Sequence, residues 1–202
     1  MKIIKAEYIK SATDPKDYPK ISKPHFAFIG RSNCGKSSLI NMLVNRKDLV
    51  RVGNKPGMTQ KINFFGINDE FVLVDLPGYG FAKVPLKLKE EFAVMIEKFI
   101  TESANLKAVF FLLDSRRKPG EEERKIITKL SELSIPTALI ATKCDKLTKF
   151  EQKKSLETIS TSLDINKQDI FPSSSTNKKG RREILQLIRE LCGISRETDE
   201  MD

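Results

Sequence analysis

Eight consecutive residues, Gly30-Arg31-Ser32-Asn33-Cys34-Gly35-Lys36-Ser37, fit the pattern G-x-x-x-x-G-K-[ST]. They follow a short apolar stretch at 25–29 and lead at once into a helical pattern. A strand-to-helix turn of this kind points backbone N–H groups inward around a polyphosphate, and the helix N-terminus adds the positive end of its dipole. Gly30 through Ser38 then line a phosphate cradle, with Lys36 reaching the β- and γ-phosphates and the Ser37 hydroxyl binding Mg²⁺. By chance such a match arises in on the order of one chain in a hundred of this length, so it needs company.

Company comes downstream. Phe71 to Asp75 reads as a buried strand ending in a carboxylate, and Asp75-Leu76-Pro77-Gly78 forms D-x-x-G. Asp75 is placed to hold Mg²⁺ and the Gly78 amide to bond a γ-phosphate oxygen. Between the two motifs lies a turn-rich loop, Gly53 to Gln60, whose Gly57 and Thr59 join the nucleotide contacts, Thr59 completing the Mg²⁺ shell around a triphosphate. A further apolar strand, Pro136 to Ala141, runs into Thr142-Lys143-Cys144-Asp145. The Asp145 carboxylate can accept two hydrogen bonds from guanine, whereas adenine presents an acceptor at the same place; sites of this kind discriminate by ~10⁴ or more. The expected ligands are therefore GTP and GDP. Lys143 lays its stem along the base, and the amides of Ser174, Ser175 and Thr176 reach the guanine carbonyl.

These residues need a scaffold that gathers strand ends. Candidate strands are 25–29, 61–67, 71–76, 107–114, 136–142 and 169–173; candidate helices are 36–45, 86–103, 121–133, 150–163 and 181–191. Only residues 68–70 separate the second and third strands, a hairpin length, while helices separate the later ones. The expectation is an α/β three-layer fold: a mostly parallel sheet of about six strands with one antiparallel strand, and helices on both faces. Residues 24–193 form one domain, preceded by a lead-in at 1–23 that either adds a short strand or only enters the fold. An acidic tail follows at 194–202, where Glu197, Asp199, Glu200 and Asp202 fray into solvent.

Composition narrows the chemistry. The 202 residues suffice for one good core. The longest apolar run, Ala108 to Leu113, is far too short to cross a bilayer, and the charged N-terminus is no secretory signal. A cytoplasmic address is expected. Three well-separated cysteines read as reduced thiols, and with His25 the only histidine, multi-histidine metal sites are excluded. The net charge of +9 favours an anionic partner.

Taken in order, GRSNCGKSSLIN, KPGMTQKINFF, VDLPGYGFAKVP and TKCDKL, with a serine pair before the last helix, resemble the EngB family of bacterial ribosome-biogenesis GTPases, within the translation-factor-like P-loop GTPases. The resemblance covers nearly the whole chain. It implies the P-loop GTPase fold, slow GTP hydrolysis with Lys36, Thr59 and Gly78 as catalytic groups, and Mg²⁺ held by Ser37, Thr59 and Asp75. It further implies ribosomal particles and ribosomal RNA of the large subunit as partners, a role in cell growth and division, and a monomer with no DNA or membrane partner. Two departures stand out. Thr142 occupies the place of the asparagine that opens the base motif in the broader pattern, so that asparagine's side-chain contacts do not carry over. Tyr79 follows Gly78 where Ras-like GTPases have a water-orienting glutamine. In related GTPases without that glutamine, an asparagine at the position of Asn33 helps bind K⁺; here Asn33 either does so or only stabilises the loop.

Basic side chains cluster in Arg116-Arg117-Lys118 and in Lys178-Lys179-Gly180-Arg181-Arg182, both following strand ends and so falling on the nucleotide edge. With the family likeness they read as phosphate-backbone contacts. Two alternatives stay open: a P-loop kinase acting on a small metabolite, for which no arginine-rich lid is found, and a scaffold that binds GTP without hydrolysing it.

Overall fold

In the computed structural model, which describes residues 1–50, 61–80 and 85–194 (apart from the side chains of Leu86 and Lys89), the apolar runs of the sequence become the middle of a single sheet. Its strands are β1 (Ala6–Ala12), β2 (His25–Gly30), β3 (Ile62–Ile67), β4 (Phe71–Asp75), β5 (Leu106–Asp114), β6 (Thr137–Thr142) and β7 (Ile170–Pro172). The spatial order is β1-β3-β4-β2-β5-β6-β7. Only β3 runs against the rest, antiparallel to both β1 and β4.

Alternation along the central strands builds a core on each face. Phe26 and Phe28 of β2 and Phe110 and Leu112 of β5 face helices α1 (Lys36–Val44) and α5 (Arg181–Leu191), where Leu39, Ile40, Leu43, Ile184 and Ile188 meet them. Phe28 and Phe110 stack with ring centroids 5.1 Å apart. Ala27, Ile29, Val109, Phe111 and Leu113 face the other way, onto α2 (Leu86–Glu102), α3 (Glu121–Glu132) and α4 (Lys149–Leu163). Every residue of β2 is buried, as befits a strand covered on both sides.

The three-layer expectation holds, with one correction: the sheet has seven strands, not about six. The extra strand is β1, from the lead-in. Its sequence, AEYIKSA, alternates poorly because it is an edge strand with only its end residues buried. It is held from outside the ladder: the Asn68 side chain accepts from the amides of Ile4 and Lys5 at 2.9 and 3.1 Å and donates to the Lys2 carbonyl at 2.8 Å. Elsewhere most boundaries move by a residue or so. Strand β6, for example, starts at Thr137 because Pro136 has no N–H to give, although its carbonyl still accepts from Val109. No described helix is long and apolar enough to cross a membrane. Gly53 to Gln60, residues 81–84 and the acidic tail from 195 onward lie outside the described residues.

Topology decides where a ligand can sit. Strand β2 lies between β4 and β5, so the chain leaves it toward opposite sides of the sheet. In open α/β sheets ligands bind beyond the carboxyl ends of strands at such a switch point. The turn at residues 31–35 stands there, joining β2 to α1.

Candidate functional site

The turn after β2 is shaped to expose amides. Asn33 has φ 60° and Gly35, the residue before α1, has φ 108°, a conformation that glycine adopts without strain. The first-turn amides of a helix have no intrahelical partner. Here the amides of Asn33, Gly35, Lys36, Ser37 and Ser38 find no backbone carbonyl among the described residues. A row of unspent donors on a helix N-terminus is an anion cradle. Ser32 and Cys34 are the exceptions: Ser32 donates to the Tyr79 carbonyl at 2.8 Å and Cys34 to the Arg31 carbonyl at 3.1 Å, while the Tyr79 amide donates to the Gly30 carbonyl at 3.3 Å.

Asp75 ends β4 beside this turn; its neighbour Leu76 donates to the Phe28 carbonyl at 3.2 Å. The carboxylate is wholly buried and neither oxygen has a hydrogen-bond partner among the described residues. Burial raises its pKa to about 6, and the nearby Lys36 ammonium only partly offsets that. Among the described residues no group of three or more His, Cys, Asp or Glu could cage a metal ion. A divalent ion here would rest on Asp75, the Ser37 hydroxyl and oxygens of the nucleotide itself. Two unpaired buried carboxylate oxygens fit Mg²⁺ in that manner, since they otherwise stand desolvated with nothing returned. The chain then runs straight along the cradle: a Cβ on Gly78 would lie 3.2 Å from Lys36 Nζ and 3.1 Å from Ser32 Cα.

Strand β6 delivers the second part of the site. The Thr142 hydroxyl lies 2.6 Å from the Cys34 carbonyl, to which it donates, with the Leu113 carbonyl at 3.1 Å. The threonine thus tethers the turn between β2 and α1, a contact that sequence reasoning did not assign to it. Lys143, at φ 58°, donates to the Asn33 carbonyl and to Asp114 Oδ2, the latter over 3.1 Å. Asp114, at the end of β5, also takes a two-pronged bond from Arg116 at 2.9 and 2.7 Å. Despite burial, these donors, Arg116 before Lys143, hold its pKa at about 2. Asp114 was not foreseen; its only sequence signal was a carboxylate at a strand end, two residues before an arginine.

Asp145 follows in a short turn, its side chain mostly covered. A hydrogen bond from Ser174 is the main cause that lowers its pKa, and Thr176 Oγ1 lies 3.4 Å from Oδ2. The two loops meet because β7 pairs with β6: Ser173 donates to the Ala141 carbonyl at 2.8 Å and Cys144 to the Ser173 carbonyl at 3.1 Å. The Ser174 amide bonds the Lys179 carbonyl and the Thr176 amide bonds Ser174 Oγ. Of the three amides expected to face a base, only that of Ser175 is left without a protein partner among the described residues. Ser38, Asn45, Ser175, Thr176 and Lys178 line a cavity of about 680 Å³ between α1 and this loop.

A third group ties α3 to the cradle. Glu123 is buried and accepts from the Gly120 amide at 2.7 Å and from the Tyr79 hydroxyl at 3.3 Å, with Arg31 Nη1 3.5 Å away. Burial, and then the Glu123 charge, push the Tyr79 phenol well above its ordinary pKa. Neither Glu123 nor its link to Tyr79 was legible in sequence. Gly57 and Thr59 lie outside the described residues.

Residues 25–143 match the family described as 50S ribosome-binding GTPase. The probable GTP-binding protein EngB of Citrifermentans bemidjiense is 46% identical over 181 residues, covering 90% of this chain and 85% of its own. Its namesake in Fusobacterium nucleatum is 49% identical over 191 residues, covering 94% and 98%. A crystal structure of a probable GTP-binding protein engB has the same fold, with a TM-score of 0.70 at 23% identity over 85% of this chain and all of that one.

Proposed function

Because the chain belongs to the EngB family of GTP-binding proteins, P-loop GTPases that hydrolyse GTP to GDP and phosphate, we propose that it acts as a nucleotide-dependent switch in assembly of the large ribosomal subunit, and through it in cell growth and division. The observation that carries the switch is the Ser32–Tyr79 hydrogen bond. It engages one cradle donor with the chain that follows D-x-x-G. A third phosphate competes for that donor, so its arrival and loss change how residues 75–80 sit against the cradle.

In this reading the free amides of Asn33, Gly35, Lys36, Ser37 and Ser38 bind the polyphosphate, Lys36 neutralises charge on its outer phosphates, and the Gly78 amide bonds the terminal one. Ser37, Asp75 and Thr59 would hold Mg²⁺, which would supply positive charge to offset that of the phosphates. Asp145 selects guanine, and Lys143 packs its stem beside the base while holding the cradle through Asn33. Tyr79 cannot orient water as a glutamine amide does, since its phenol is buried and turned to Glu123. Intrinsic hydrolysis is therefore slow, and Asn33, exposed at the lip of the cradle, is the candidate ligand for an assisting K⁺.

The protein works as a cytoplasmic monomer in the domain arrangement set out from sequence, with ribosomal RNA contacted by the basic runs at the nucleotide edge. Family membership leaves the kinase alternative without support, and single-turnover phosphate release separates the switch from a non-hydrolysing scaffold. The deciding experiment is co-sedimentation with ribosomal particles. Binding should be strong with a non-hydrolysable GTP analogue, weak with GDP, and should fall steeply as salt is added. Equal binding in both nucleotide states removes the switch.

A further inference from the structure

We infer that the exposed first turn of α4, centred on Phe150, docks an unpaired stretch of RNA, with a nucleobase stacked on the phenyl ring and adjacent phosphates held by Lys149, Lys153 and Lys154. This rests on the ribosomal reading above and gives it a specific contact.

Among the described phenylalanines Phe150 alone is exposed, at 77%. Helix α4 seats itself on the sheet through Leu156, Ile159 and Leu163, so Phe150 adds nothing to the core. The three lysines around it are exposed, and none has a carboxylate within 4 Å among the described residues. The Thr148–Glu151 capping pair fixes this turn: Glu151 Oε2 accepts from the Thr148 amide at 2.7 Å, and the Glu151 amide donates to Thr148 Oγ1 at 3.3 Å. The ring therefore stands on a rigid element.

Two hydrogen bonds join α4 to the loops that bear the basic runs read from sequence. Lys179 Nζ donates to Gln152 Oε1 at 2.9 Å, and Ser155 Oγ donates to the Ser115 carbonyl at 2.6 Å. Helix α4 is thus fastened to the loop bearing Arg116 to Lys118 and to the loop bearing Lys178 to Arg182. Three basic runs far apart along the chain become neighbours, with the aromatic ring on the helix that links them.

The chemistry selects the occupant. A protein interface needs a contiguous apolar centre, and an interfacial membrane helix needs an apolar stripe. Phe150 is the only large apolar side chain of α4 that is exposed. One ring face among unpaired cations suits a nucleobase and its flanking phosphates, and only unpaired bases offer a free face, because those of a duplex are already stacked.

The chain lacks tryptophan, so Phe150→Trp installs a single fluorescent reporter at the patch. Short single-stranded oligoadenylate should quench it, and a paired RNA duplex should not. Phe150→Ala should weaken oligoadenylate binding about tenfold, at unchanged GDP affinity and unchanged salt slope. The pair Lys153→Gln and Lys154→Gln should instead flatten the salt slope by about 1.4. Absence of quenching, wild-type affinity in Phe150→Ala, or equal quenching by the duplex overturns the proposal. So does a loss of ribosomal-particle binding in Phe150→Ala with oligoadenylate binding intact, which would assign the ring to a protein neighbour. A wild-type chain that ignores ribosomal particles while oligoadenylate still quenches the reporter removes the ribosomal reading and leaves the patch. Particle binding that Phe150→Ala does not alter removes the patch alone.

Discussion

The Thr142 hydroxyl sits 2.6 Å from the Cys34 carbonyl, fastening the end of β6 to the turn between β2 and α1, 108 residues earlier in the chain. Both groups are buried, so the contact is made away from competing water. Replacing Thr142 by Val keeps the shape and strands the carbonyl. Stability should drop by about 1 to 2 kcal/mol in urea titrations, and GDP affinity should fall several-fold. Thr142→Ser, which retains the donor, should behave as wild type; a serine variant as weak as the valine one would show that the methyl group, not the hydroxyl, matters.

Asp145 is held by Ser174 and Thr176, with its side chain 15% exposed. An amide at this position offers a donor where guanine also presents one. Asp145→Asn should lower GTP affinity at least about a hundredfold and raise that for xanthosine triphosphate, whose carbonyl replaces the guanine amino group. Calorimetry with both nucleotides measures this, and undiminished GTP affinity would count against Asp145 as the base reader.

Tyr79 and Glu123 meet at 3.3 Å across the gap between the D-x-x-G segment and α3. Tyr79→Phe should cost about 1 kcal/mol, keeping its ring against Phe111 and its backbone bonds to the cradle. Glu123→Leu also deprives the Gly120 amide of its acceptor and Arg31 of one of its two carboxylates, and should cost about 2 to 3 kcal/mol. The double variant should fall short of the sum by about 1 kcal/mol. Strict additivity would mean the two side chains do not interact in solution.

Asn33 stands exposed at the lip of the cradle, with its carbonyl held by Lys143. GTP hydrolysis should be faster in KCl than in NaCl at equal ionic strength, and Asn33→Ala should abolish the difference. Equal rates in both salts would leave Asn33 with only a structural role.

His25 is buried, with Nδ1 3.4 Å from Ser103 Oγ and Nε2 without a partner among the described residues. Burial lowers its pKa to about 4 from an ordinary 6.5. The folded state favours the neutral ring, so its contribution is complete above about pH 6.5 and is lost as pH falls toward 4, by on the order of 2 kcal/mol. Stability curves of wild type and His25→Phe should diverge in that window, with the variant less sensitive to acid. Parallel curves would show that His25 does not set the acid limit.

Local pattern carried much of this protein. The run from Gly30 to Ser37 was legible as a strand-to-helix turn because its conformation depends on glycine and on a helix start, both properties of neighbouring residues. The α5 boundaries agree with the sequence reading, and those of α1, α2 and β2 to within about a residue, because apolar periodicity is written along the chain. Tertiary structure decided what periodicity cannot express. Strand β1 was ambiguous because an edge strand buries too little to alternate, and only its pairing with β3 defines it. The bonds from Thr142 to Cys34, Lys143 to Asn33 and Tyr79 to Glu123 exist because sheet order carries distant strand ends to one edge. The same gathering brought the helix that carries Phe150 beside the two basic loops at 116–118 and 178–182. Sequence records which groups a chain owns and how near neighbours repeat; adjacency across tens of residues is set only when the strands take their places in the sheet.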